Sequence, residues 1–418
     1  MPQRALKLLI SSILVAVIAS TANPAILARQ SSSDKKTKDK TKFGSSLDQL
    51  KWDSKKRIAI DRAKKPEGNS PSEDLVKLET LLVSLDVLVI DSATSRPINE
   101  LSKNDFVITE DDQAQQIHQF ALGDDATLAR SIILIIDYSH SQDNVFETSI
   151  EAARVLVSRL GPKDKMAIVT DDVEMLSDFT RDQAHLIAVL DALKKKWISG
   201  KRGRSRQYNS LMAALRELVD RESQSIIIFQ TDGDELIALK DQPRVKVNAP
   251  EFGFPEFGLV DVYAAVETSP ATVYSVITNI RALGVPREDV YNRLKRRVEA
   301  SVHRHKTELE YSQWIELYPI TKENIDGSVN TLLYEQTALA NVAFLTGGQV
   351  AYLEQPEQAE RIYSEILSDM HRRYILGYYP TNTRRDGRRR KVRVEVRGHP
   401  EYLVHGRRSY YAPSEKVD

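Results

Sequence analysis

Ile132-Ile133-Leu134-Ile135-Ile136-Asp137-Tyr138-Ser139-His140-Ser141 is an apolar run that breaks into a polar turn. A short, mostly β-branched run of this kind predicts a strand buried on both faces. The Asp-x-Ser-x-Ser turn that follows gathers one carboxylate and two hydroxyls. Those are hard oxygen donors, suited to Mg²⁺ or Ca²⁺. The plainer reading is an Asx turn that caps the next helix.

A second unit of the same kind lies downstream. Ile226-Ile227-Ile228-Phe229 leads to Thr231-Asp232-Gly233-Asp234. Strands are predicted at 131–136, 165–170, 173–176, 225–230, 272–278 and 349–353. Helical periods alternate with them. Phe146, Ile150, Ala153, Val157 and Leu160 mark one face, and Leu186, Leu190 and Leu193 another. Leu211, Leu215 and Leu218 mark a third, followed by 334–345 and 362–370. Apolar strands alternating with amphipathic helices predict an α/β fold, a mostly parallel sheet with helices on both faces. Ligands bind such sheets at the carboxyl ends of the strands, where the winding reverses. Asp137 and Asp232 both stand at that edge, with Ser139 and Ser141 beside Asp137.

The chain has 418 residues, room for two or three domains. Apolar residues make up 41%, enough for real cores. The net charge is zero, so no global field draws the chain to nucleic acid or anionic lipid. There is no Cys, which excludes disulfides, thiolate metal sites and lipid attachment through cysteine.

Arg4 and Lys7 precede an apolar stretch from Leu8 to Ala19, with small residues after it. That order predicts a secretory signal over 1–28 and a secreted or periplasmic protein with no membrane span after cleavage. Such a protein must rest on its apolar cores. Residues 29–76 are Lys- and Ser-rich and are expected to be a disordered linker. Residues 77–125 read as a small β unit, with Asp111-Asp112-Gln113 as a hairpin turn. The α/β domain is expected over 126–372, with insertions near 235–262 and 281–330. Helix 287–314 in the second insertion is either a partner-binding helix or a lid packed on its own domain. Strands at 373–379, 391–396 and 402–411, within a C-terminal unit 373–412, are expected to pair with the β unit as one small β-sandwich, because each half has too few strands to hide its apolar face.

Enzyme signatures are absent: there is no Gly-x-Ser-x-Gly, no His-Glu-x-x-His and no phosphate-binding loop. A metal-dependent hydrolase would need a general base beside the ion, for which Asp234 or Glu235 is available. His140 occupies a variable position of the turn and reads as a surface residue. His303 and His305 point apart on a helix, which disfavours zinc. The basic run 384–391 reads as a hairpin tip.

These motifs resemble the von Willebrand factor type A (VWA) family, a doubly wound, Rossmann-like α/β domain with a metal-ion-dependent adhesion site. Asp137, Ser139 and Ser141 match its Asp-x-Ser-x-Ser motif, and Asp232 its distant Asp. The family's Thr lies in a Gly-Thr-Ala-Leu-Tyr-Asp-Ala-Leu-like loop. Here Gly203-Arg204-Ser205-Arg206-Gln207-Tyr208-Asn209-Ser210-Leu211 stands in that place and aligns Ser205 with the Thr. The whole chain is similar to secreted bacterial VWFA-related proteins, through 105–111, Asp178-Phe179-Thr180, Thr346-Gly347-Gly348 and 373–380. The resemblance implies a Mg²⁺ site (or Ca²⁺ or Mn²⁺) on Asp137, Ser139, Ser141, Ser205 and Asp232. It implies a non-catalytic role in adhesion or assembly, with a protein partner that offers an acidic side chain. Departures are Asp112 where a turn Gly is usual, the Ser205 loop and the insertions. Lys201, Arg202, Arg204 and Arg206 crowd that loop, and like charges near a divalent ion weaken its binding. A module whose metal site has decayed is therefore the second reading.

Overall fold

A computed structural model of the protein describes residues 42–62, 82–94, 96–124, 129–219, 224–242, 255–304 and 320–413. The expected signal and most of the expected linker lie outside these residues, as do parts of both insertions.

The strand that ends at Asp137, β7 (Arg130–Ile136), is the centre of a six-stranded sheet. It is flanked by β8 (Lys165–Thr170) and β9 (Met175–Thr180) on one side. On the other lie β10 (Gln224–Thr231), β11 (Thr272–Ile277) and β12 (Val350–Tyr352). All neighbours are parallel except β9, which runs antiparallel at the edge. β9 starts later than the sequence suggests, because Val173 has φ 63° and sits in the tight turn closed by Thr170 and Glu174.

Every residue of β7 is buried, as its unbroken apolar run predicts. Alternate side chains feed opposite cores. Ile132, Leu134 and Ile136 pack with α1 (Phe146–Ser158), α2 (Gln183–Ile198) and α7 (Gln358–His371). Ile133 and Ile135 pack with α3 (Gln207–Glu217), α4 (Leu259–Thr268) and α6 (Lys322–Leu345). The winding reverses between β7 and β10, so the turns after these two strands face one crevice.

The expected β-sandwich forms from both ends of the described chain. One sheet has the order β15 (Tyr402–His405), β3 (Val83–Asp91), β13 (Tyr374–Tyr378), β6 (Ile117–Leu122). The other has β16 (Ser409–Tyr411), β14 (Arg389–Val396), β4 (Phe106–Glu110), β5 (Gln113–Gln115). Leu85, Val87, Phe106, Ile108, Tyr374 and Leu376 fill the space between them. Tyr378 and Tyr410 both donate to Glu110 Oε2 at 2.8 Å, which satisfies one oxygen of a buried carboxylate. Asp111 and Asp112 have φ 46° and 64°, so this two-residue turn takes the left-handed conformation without Gly. The run expected as one strand over 402–411 is two: it crosses between the sheets at Gly406, where a Cβ would lie 2.7 Å from Val87.

The sandwich caps the amino-terminal edge of the parallel sheet. Asp86 on β3 accepts from Gln224 at 3.0 Å and Thr272 at 3.1 Å, both at strand starts. Arg373 is buried between the two parts, bonded to Asp369 and to the Gly347 carbonyl at 2.7 Å.

Part of the expected disordered linker is ordered. Residues 45–49 form a 3₁₀ turn, and β1 (Leu50–Asp53) pairs with β2 (Ile58–Asp61). The reason is tertiary: Leu50 joins the core beneath α3, and Glu217 accepts from the Gly44 and Ser46 amides at 2.9 Å. α5 (Arg287–Arg304) in the second insertion packs on α6 through Val290, Val329 and Leu332. Among the described residues no helix is long and apolar enough to cross a membrane.

Candidate metal centre

Asp137 leaves β7 with its amide bonded to the Gln230 carbonyl at 3.1 Å, which locks it to the neighbouring strand. Its carboxylate is almost fully buried, at 1% exposure. Oδ1 accepts from the Ser139 amide at 2.9 Å and the Ser139 hydroxyl at 2.6 Å. Oδ2 accepts from Thr231 Oγ1 and Gln207 Nε2, each at 2.8 Å. Ser139 Oγ lies 3.0 Å from Ser141 Oγ. The Asp-x-Ser-x-Ser turn therefore folds its three oxygen-bearing side chains onto one spot.

The turn after β10 supplies the opposite wall. Gly233 takes φ 84° and donates its amide to Thr231 Oγ1 at 3.0 Å. This places Asp232 and Asp234 on either side of the bend. Asp137, Asp232 and Asp234 each bring a carboxylate oxygen within 4.8 Å of the others. The Ser141 hydroxyl favours the ionised form of both Asp232 and Asp234.

Ser205 enters from the loop before α3. It has φ 49°, and its amide donates to Asp171 Oδ2 at 2.9 Å. Its hydroxyl is buried and completes no hydrogen bond among the described residues, yet it stands close enough to Asp234 to lower that carboxyl's pKa. All the side chains expected from the sequence thus converge on one crevice. His140 does not: it sits 3.9 Å from Asp143.

The structure adds residues that the motif reading left out. Asp234, read from the sequence as a candidate base, belongs to the cluster. Asp171, at the carboxyl end of β8, accepts from the Tyr138 amide at 3.1 Å as well as from Ser205. The rule that found Asp137 and Asp232 also reaches Asp171. Gln207 donates to Asp137 and Asp234 at once, while its own carbonyl oxygen is buried without a partner among the described residues. Nothing in the sequence pattern marks Gln207. Glu335 on α6 is buried, with one oxygen unpartnered among the described residues.

Burial raises the pKa of Asp137, Asp171, Asp232 and Glu335, and the neighbouring acids push the last three further. Asp234 is pushed up to about 6, first by burial and then by Asp137. Glu235 is pushed up to about 8 by burial, although the Tyr208 amide donates to it at 2.5 Å. Glu235 also accepts from Asn209 and so caps α3, a structural task that occupies it.

Several cations that crowd this region in sequence are engaged elsewhere. Arg202 pairs with Asp143 and stacks on Trp197 at 4.5 Å. Lys196 pairs with Glu174 at 2.8 Å, and Lys194 lies 3.5 Å from Glu147. Arg206 donates to Asn209 at 3.2 Å. Among the described residues no Lys or Arg forms an ion pair with Asp137, Asp232 or Asp234. Buried carboxylates this close are costly without a positive charge.

The family model of the von Willebrand factor type A domain matches residues 132–235, from the first residues of β7 through the Asp232 turn. The chain carries a VWA domain. No curated protein matches the chain significantly. Among solved structures, BatB of Bacteroides thetaiotaomicron is 18% identical with a TM-score of 0.33, covering 58% of this chain and 98% of BatB. Manganese-loaded TRAP of Plasmodium vivax is 15% identical with a TM-score of 0.26, covering 44% and 69%. The PilB minor pilin of Streptococcus sanguinis is 11% identical with a TM-score of 0.32, covering 59% and 62%.

The donor set of the VWA crevice is all oxygen, carboxylate and hydroxyl. That chemistry suits a hard divalent ion. The unpartnered Ser205 hydroxyl beside the carboxylates fits the same ion.

Proposed function

We propose that the VWA domain holds a divalent cation, Mg²⁺ or its substitutes Mn²⁺ and Ca²⁺, and uses it to bind a protein partner. Asp137 and Asp232 would supply charge, directly or through water. Ser139, Ser141 and Ser205 would ligate through hydroxyls, and Asp234 would join them. The cation would offer positive charge and an open position to an acidic side chain of the partner. The role is adhesion or assembly outside the cytoplasm, without chemistry on the partner.

One observation carries this reading: three carboxylates within 4.8 Å of one another have no cationic side chain as partner among the described residues. A hydrolytic role is less well supported, because Asp234 lies inside the cluster and Glu235 caps α3. The reading of an assembly module with a decayed site draws on Gln207, whose amide already bridges Asp137 and Asp234.

Partner capture from the exported fraction, with and without EDTA, tests the function. We expect a captured protein that is released by EDTA and absent with Asp137→Ala. Capture that survives both changes contradicts a metal-bridged contact.

A further inference from the structure

The β-sandwich carries a second surface, at the far pole from the metal centre. β14 pairs with β4 along Val392–Val396, but on its other side β16 covers only Arg389–Lys391. The segment before β16 has left to join β3 as β15. Where β14 and β15 part, a groove of about 920 Å³ opens.

The groove is basic and has a free strand edge. Lys391, Arg397 and Arg408 line it, and among the described residues none of them forms an ion pair. Arg393 stands beside them, paired at 2.5 Å with Glu395, the one acid in the lining. The Val392 amide donates to the Arg408 carbonyl at 2.8 Å, and the Val396 carbonyl accepts from His399 at 3.2 Å. Val394 lies between them on the same edge, and in an antiparallel strand alternate residues turn their peptide groups the same way. Its peptide group therefore faces the groove with no backbone partner among the described residues. Leu403, 49% exposed, adds apolar surface on the opposite wall.

We propose that this groove docks an extended, acidic segment of another polypeptide alongside β14. Unpaired cations call for negative charge, and the open edge calls for a chain with amide donors and carbonyl acceptors. A nucleic acid satisfies the first requirement and not the second. The sandwich sits at the amino-terminal edge of the parallel sheet and the metal centre at the carboxyl edge, a β7 length of roughly 20 Å away. A segment in the groove would leave the metal centre open, so one molecule could link two partners.

The test uses the full chain in EDTA, with a fluorescent peptide of alternating Glu and Val as the probe. We expect saturable binding that weakens with salt. It should weaken about tenfold in the triple variant Lys391→Gln, Arg397→Gln, Arg408→Gln. A peptide of the same charge with Pro at alternate positions should bind less well, as should a single-stranded oligonucleotide of equal charge. No binding by the wild-type chain overturns the proposal. So does unchanged binding by the triple variant, or an oligonucleotide or Pro-containing peptide that binds as tightly. If the triple variant fails to fold, the single exposed-site variant Lys391→Gln must show a smaller loss in the same assay, and no loss there also overturns it. Because EDTA is present throughout, failure here leaves the metal reading untouched.

Discussion

Gln207 donates its Nε2–H to Asp137 Oδ2 at 2.8 Å, and the same nitrogen also donates to Asp234. An amide thus stands between two carboxylates proposed to share a cation. In the family pattern that the Ser205 loop resembles, this position is Leu, which donates nothing.

Loading the site must displace this amide or weaken its bonds. A hydrogen bond to a charged group is worth about 1.5–3 kcal/mol. We expect Gln207→Leu to bind Mg²⁺ about tenfold or more tightly than wild type. Without divalent ions the variant should unfold at a lower temperature, since the carboxylates lose their donor. Calorimetric titration checks the first point and a thermal scan in EDTA the second. Equal or weaker Mg²⁺ affinity in the variant means that Gln207 does not compete with the ion.

Gly203 makes room for Asp171. A Cβ at this position would lie 2.1 Å from one carboxylate oxygen and 2.2 Å from the other. Asp171 holds both Tyr138 and Ser205 by their amides, so displacing it disturbs two walls of the crevice. Gly203→Ala should cost about 1–3 kcal/mol of stability, the usual penalty for overpacking. Urea unfolding measures this, and stability within error of wild type would show that the loop adjusts freely.

Arg373 ties the sandwich to the VWA domain. It is 1% exposed and bonds Asp369, the Gly347 carbonyl and the Asp86 carbonyl. Arg373→Met leaves Asp369 buried beside Tyr274 without its cation. We expect a loss of about 3–5 kcal/mol, typical of a broken buried pair. Urea titration followed by circular dichroism should show the midpoint fall; a shift below about 1 kcal/mol would mean that water replaces the pair.

His371 gives the fold a pH dependence away from the metal centre. Burial lowers its pKa below 6.5, and the Arg130 guanidinium lowers it further, against the opposing pull of Asp164 and Asp124. The neutral ring accepts from Arg130 at 2.9 Å. The folded state therefore binds fewer protons here than the unfolded chain, and stability falls as pH drops through 6.5 toward the lowered value. The ring is partly exposed, so the effect should be small. His371→Gln should flatten the slope of melting temperature against pH in this window; an unchanged slope assigns it to other groups.

Much of this architecture is legible from local pattern. The run 132–136 predicts a doubly buried strand because nothing polar interrupts it, and β7 is buried at every position. The shared position of Asp137, Ser139, Ser141 and Asp232 at one sheet edge is legible because strand ends and winding reversal fix it without knowledge of contacts. Asp171 obeys the same rule but is followed by Asp172-Val173, which does not advertise a ligand turn. Gln207 and Glu335 are invisible in sequence, since their meaning comes from what faces them across the crevice. The β1–β2 hairpin is missed for a related reason: its order comes from Glu217 and the core around Leu50, far along the chain. The sandwich, by contrast, follows from an elementary shortage of strands at each end.

The most direct test of the central claim is a calorimetric titration of the full chain with Mg²⁺ and Mn²⁺ at constant pH, paired with melting curves. We expect saturable binding that raises the melting temperature of the wild-type protein, and neither effect in Asp137→Asn folded to the same extent. A wild-type protein that shows no binding heat and no thermal response to either ion would contradict a metal-bearing VWA site.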